Sequence, residues 1–185
     1  MHYIEDALLE MLKEKPLDKT SVKEVAEKAH VSRQTVYYHY DSLLDVFTSW
    51  FNESIWSRFT NRRERNWVAG FEDALRFCVE YKTEIINVYR SSYHMDFIRS
   101  QSQYAIKMLT DDIDILCKEL EIPLSDRDKE FVVNYYVKLA MGVILNFIDD
   151  EMEDDPGYLA SRLEIMVANS FEEKARKMLA SYSVD

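Results

Sequence analysis

Residues Thr20 to Tyr40 read TSVKEVAEKAHVSRQTVYYHY. The stretch predicts two short helices joined by a tight turn. Ser21 caps the first helix, and Glu24 three residues on completes a capping box. Val22, Val25, Ala26 and Ala29 then share one face at helical spacing. Ala26 is small enough for a second helix to approach closely. Ala29-His30-Val31 forms the turn, with Val31 as an apolar plug. Ser32 caps the second helix, and Val36 and Tyr40 face back toward the first. Arg33, Gln34, Thr35, Tyr37, Tyr38 and His39 then point largely outward. A short helix with outward Arg, Gln and Thr near its start has the shape that enters a DNA major groove. Periodicity alone equally fits a plain helical hairpin whose polar residues are solvated.

The wider context adds a resemblance. Ile4, Ala7 and Leu8 lie on a preceding helix, Thr20-Ser21-Val22 open the next, and Val25-Ala26 and Val31-Ser32 follow. Then come Val36-Tyr37-Tyr38-His39-Tyr40, with Ser42 starting a fourth helix. The run from Ile4 to Phe51 resembles the N-terminal domain of TetR/AcrR-family transcriptional regulators, and its aromatic ending is similar to regulators of dihydroxyacetone kinase operons. The resemblance implies double-stranded DNA as a partner. Arg33 can address guanine O6/N7 and Gln34 an adenine edge, while Thr35 offers a methyl and a hydroxyl. Tyr37 and His39 resemble the family's phosphate contacts, which position the helix. Tyr38 fits either role. Thr20, Ser21, Lys23 and Ser32 complete the expected DNA-facing set, the first two by offering free N–H groups to a phosphate. Three positions depart from the family pattern. Only Met1 and His2 precede the first helix, where many members carry a basic arm. Leu43 stands where a Lys often faces DNA. His30 stands where Gly is usual, and the turn there favours positive φ.

Composition narrows the rest. The chain has 185 residues, 47% of them hydrophobic, with only three Gly and three Pro. That combination predicts an all-α protein of long helices and short connections. No unbroken apolar run of about 18 residues suggests a membrane span, and MHYIEDALLEML is amphipathic rather than a leader. Cys78 and Cys117 sit in apolar helical patterns, so reduced core thiols in a cytoplasmic protein are expected. No Gly-rich phosphate loop, nucleophile elbow, metal-spaced His pair or paired-carboxylate site appears, so neither an enzyme nor a cofactor is expected. The acidic run from Asp149 to Asp155 reads as a solvated loop, and no metal site is expected. The formal charge is −11, which opposes nonspecific binding to nucleic acid. The first fifty residues hold six Lys/Arg against nine Asp/Glu. DNA binding must therefore depend on where Lys19, Lys23, Lys28 and Arg33 lie, and on pairing of two chains.

The reading divides the chain into a helix-turn-helix head over residues 1–48 and a helical regulatory and dimerisation domain over 49–185. The spacing predicts helices over Tyr3–Glu14, Ser42–Asn61, Phe71–Tyr89, His94–Ser100 and Ser102–Leu120. Further helices are expected from Ser125 to Asp149 and from Pro156 through Leu179. Arg58, Arg62, Arg63 and Arg65 read as a solvated helix end or as contacts to flanking DNA. The helix up to Asp149 is apolar nearly all round, and such a helix must be buried on every side. The resemblance implies that the last two long helices pair with their twins in a homodimer. Two recognition helices would then lie about one DNA turn apart, over a near-palindromic operator. It also implies a repressor released by a small-molecule effector. Trp50, Tyr89, Arg90, Tyr93, His94, Tyr104 and Asn146 are the candidate effector-binding residues, although each aromatic also reads as ordinary core. A protein of the same fold acting only through protein contacts is the alternative.

Overall fold

A computed structural model describes residues 2–60, 67–167 and 170–181. The described residues contain helices and no strand. They are α1 (His2–Leu12), a turn of 3₁₀ helix (Leu17–Lys19), α2 (Val22–Lys28), α3 (Arg33–His39) and α4 (Leu43–Thr60). After these come α5 (Trp67–Glu80), α6 (Lys82–Tyr89), α7 (His94–Glu119), α8 (Asp126–Asp149), α9 (Pro156–Val167) and α10 (Ser170–Ser181).

The head is built as its sequence dictates. Ser21 Oγ accepts from the Glu24 N–H, and the Glu24 carboxylate accepts from the Ser21 N–H, so the capping box is complete. The far end of α2 closes in a Schellman turn. His30 N–H donates to Glu27 O and Val31 N–H to Ala26 O, with His30 at φ 56°. Ser32 and Ser42 accept from the N–H groups three residues on, Thr35 and Asp45, to open α3 and α4. Ile4, Leu8, Leu12, Leu17, Val25, Val36, Val46 and Phe47 are almost wholly buried together.

One apolar core runs from this head through α4, α5 and α6 into α9 and the last turns of α8. The 48/49 division falls inside α4, so head and body share that helix. A second, smaller core joins Ile113 and Cys117 of α7, Val132, Val133 and Val137 of α8, and Ala175 of α10. Cys78 and Cys117 are free buried thiols. Burial pushes the Cys78 thiol up to about 12, so it stays protonated near neutral pH.

Three helix limits differ from those expected. The helix expected over Phe71–Tyr89 breaks at Tyr81, which takes φ −110°, ψ 32° between α5 and α6. Its ring packs on Trp50 and Phe77, at 4.9 and 4.8 Å, and the break turns α6 onto α1. The two helices expected on either side of Gln101 are a single 26-residue α7. The region Leu159–Leu179 supplies α9 and α10, on either side of 168–169. Arg62, Arg63 and Arg65, and the side chains of Arg58 and Trp67, lie outside the described residues.

By length and composition alone, α8 could cross a membrane. Its contacts place it in the body instead: it packs along α7, and its buried residues divide between the two cores.

Candidate nucleic-acid interface

α3 is a seven-residue rod held by its ends and one side. Ser32 fixes its start, with the Ser32 and Thr35 hydroxyls 2.9 Å apart. Val36 anchors its middle in the core. At its end Tyr40 is buried, and its hydroxyl donates to Glu5 Oε1 of α1 at 3.0 Å. Burial first, and then the Glu5 carboxylate, hold that phenol well above its ordinary range. The rod cannot rotate without breaking this contact.

The opposite side faces outward. Arg33, Gln34, Tyr37, Tyr38 and His39 are exposed, and Thr35 is half-buried. Tyr37 and Tyr38 are 59% and 84% exposed, an unusual fraction for such large rings. Tyr38 packs edge-on against His39, at 4.9 Å between centroids.

The cations of the head divide into two groups. Lys15 pairs with Glu24, Lys23 with Glu27, Lys28 with Glu10 and Lys13 with Glu84. Among the described residues, no ion pair engages Arg33 or Lys19. Hydrogen bonds from Lys15 first, and then from Ser21, hold the Glu24 carboxyl near 2.

At the start of α2 the expected geometry changes. The Thr20 N–H donates to Leu17 O and the Ser21 N–H to Glu24 Oε2, so neither is free. The Thr20 hydroxyl donates to Pro16 O. The N–H groups that helix geometry leaves open there belong to Val22 and Lys23.

The candidate effector residues are spread out. Trp50 packs among Phe47, Phe51, Phe77 and Tyr81. Tyr89, Arg90 and His94 gather at the turn between α6 and α7. There the Tyr89 hydroxyl donates to Asp149, Arg90 pairs with Glu151, and His94 Nδ1 lies 2.6 Å from Tyr89 O. The Tyr89 phenol is pushed up to about 12, first by burial and then by Asp149. Tyr93 is exposed at this same turn, Tyr104 is half-buried on α7, and Asn146 is exposed on α8. An open surface cleft of about 420 Å³ lies elsewhere, lined by Arg76, Val79 and the turn from Met152 to Pro156.

Sequence reasoning missed two polar groups. Among the described residues, the Asn52 Oδ1 atom on α4 and the Gln101 Nε2 atom on α7 are buried without a hydrogen-bond partner. Each stands in a helical pattern that draws attention to its apolar neighbours, so no sequence signal separates it from an ordinary solvated amide.

Two family models match the chain. "Bacterial regulatory proteins, tetR family" covers residues 4–47, and "Transcriptional regulator C-terminal region" covers residues 65–169. No curated protein matches. Among solved structures, the chain is similar to the dihydroxyacetone kinase operon activator DhaS, with TM-score 0.61 and 15% identity over 92% of this chain and 95% of that one. It is also similar to a tetR-family transcriptional regulator from Streptomyces coelicolor, with TM-score 0.60 and 17% identity over 97% and 89%. A third match is the TetR family repressor AlkX from a Dietzia strain, with TM-score 0.57 and 15% identity over 92% and 97%. At such identities these likenesses establish the fold.

Proposed function

The chain belongs to the TetR family of transcriptional regulators, and from that premise we propose that it is a homodimeric repressor of a near-palindromic operator, released by a small-molecule effector. The observation that carries the reading is the outward side of α3. A rod fixed at its start, middle and end presents Arg33, an exposed cation with no carboxylate partner among the described residues, beside Gln34. These two supply base-edge chemistry. Tyr37 and His39 supply phosphate contacts on the next turn. Thr20, Ser21, Lys23, Ser32, Thr35 and Tyr38 flank that surface.

Pairing of two chains is supported by α9. Its inner side, Pro156, Ala160, Leu163 and Val167, is buried, and α9 packs on α5. Its outer side leaves Tyr158, Ile165 and Met166 more than half exposed. On α8, Phe131 and Tyr135 are exposed as well. Apolar side chains in these positions suit burial against a twin. The repressor role is the one named for AlkX, whereas DhaS is described as an activator. A reporter downstream of the operator tests it, since deleting the gene for this chain raises expression for a repressor and lowers it for an activator.

The acidic head favours a second reading, in which the same fold acts through protein contacts alone. Lys13, Lys15, Lys23 and Lys28 are committed to carboxylates. Band-shift titration of upstream DNA at several salt concentrations separates the two. Operator binding predicts that log K falls linearly with log salt, by about 0.9 per phosphate neutralised. Absence of a shift, or a response flat across salt, removes the DNA reading.

A further inference from the structure

We propose that Asn52 and Gln101 form the polar part of the effector site, and that the effector is a neutral, mainly apolar molecule carrying a hydroxyl or carboxamide. The proposal rests on the effector-responsive reading above and names the chemistry of its site. Asn52 lies on α4, one residue after Phe51, between buried Thr48 and Ile55 at helical spacing. Gln101 lies on α7, one turn after buried Phe97. The Phe51 and Phe97 rings meet at 5.4 Å, and Phe47 meets Phe97 at 5.5 Å, so α4 and α7 are packed together at this level. Both residues are half-buried, but the Asn52 Oδ1 and Gln101 Nε2 atoms are themselves buried, and among the described residues neither has a hydrogen-bond partner. Buried polar groups are nearly always satisfied, so two orphans on facing helices point to something that satisfies them.

One is an acceptor and the other a donor. A hydroxyl or carboxamide both donates and accepts, so it answers the pair in either orientation of each amide. Both amides are neutral, so neither offers a counter-charge to an ionic group. The Phe47, Phe51, Phe77, Phe97 and Trp50 rings pack into one cluster where α4 meets α7, which favours an apolar body.

The test uses the full chain and three probes. 1-Octanol and octanamide both donate and accept, while 1-methoxyoctane only accepts. Binding is followed by tryptophan fluorescence and calorimetry, in wild type and in Asn52→Leu and Gln101→Met. The alcohol and the amide are expected to bind wild type about tenfold more tightly than the ether. Each variant should lose that preference while melting no lower than wild type, because an unsatisfied buried group has been removed. Three results overturn the proposal: no probe binds, alcohol and ether bind alike, or the variants keep the preference. A lower melting temperature in both variants also overturns it, because it assigns the amides to the fold. DNA retention measured on the same samples keeps the two readings apart. Loss of probe binding with DNA binding intact removes only this proposal, and the reverse removes only the operator reading.

Discussion

In the proposed interface, Arg33 carries base-edge chemistry. It opens α3 next to the Ser32 cap, in a head where most cations are already neutralised by neighbours. Arg33→Ala is expected to relax the preference at one operator position, costing about 1–3 kcal/mol at the matching base pair. Tyr37→Phe removes one hydroxyl from the rod's exposed side. It should weaken binding to every sequence alike, by about 0.5–1.5 kcal/mol. Selection from randomised operators, scored position by position, distinguishes the two patterns. His30 holds φ 56° at the close of α2, as Glu121 and Glu151 do at φ 54° after α7 and α8. In all three places the next N–H reaches back to close a Schellman turn. A non-glycine residue there costs roughly 1 kcal/mol or more, and His30→Gly should raise the melting temperature of the chain. Glu24 gives a pH signature. Its carboxyl, ordinarily near 4.5, is held near 2 in the fold. A group depressed in this way adds stability above 4.5 and loses it as pH falls toward 2. Glu24→Gln should therefore melt lower than wild type near pH 6 and converge on it near pH 2.

Among the helices, local chemistry decided what could be read in advance. α2, α3 and the start of α8 announce themselves because Ser21, Ser32 and Ser125 each accept from an N–H three residues on. The turn after α2 was legible through His30, placed where a left-handed residue is needed. The body was less legible because its boundaries depend on tertiary contacts. Nothing around Tyr81 is Gly or Pro, and the break there reflects ring packing on Trp50 and Phe77. Conversely, the polar run Ser100-Gln101-Ser102 looks like an interruption, yet Ser and Gln are tolerated in a helix whose flanks are packed. The ends of α7 and α8 carry no glycine, so their Schellman turns left no compositional mark. The orphan amides could not be read from sequence at all, since burial without a partner is a property of the assembled core. On α9, Leu163 is 5% exposed and Met166 is 75% exposed. Ile165→Glu or Met166→Glu should yield monomers with an unchanged melting profile when each is sedimented at dilution. Leu163→Ala should instead destabilise the fold by about 2–5 kcal/mol.

Head and body share α4 and one apolar core, and specific hydrogen bonds tie them further. Asn87 Nδ2 of α6 donates to Leu12 O at the end of α1, and the Ser92 N–H donates to Asp18 of the head. The far side of the same α6 end is tied to the α8–α9 turn through Tyr89–Asp149 and Arg90–Glu151. The position of each head therefore follows the body, and in the proposed dimer two bodies on a twofold axis would fix the separation of two α3 rods. On the proposed reading the acidic balance of the chain makes that geometry matter, because affinity would come from a few well-placed groups used twice. The measurement that tests this most directly is a hydroxyl-radical footprint of the wild-type chain on upstream DNA, repeated with Arg33→Ala. The account predicts two protected patches related by a twofold axis, with centres about 34–36 Å apart along the duplex, and a symmetric loss of protection in the variant. A single patch, or a footprint that the variant leaves untouched, would contradict it.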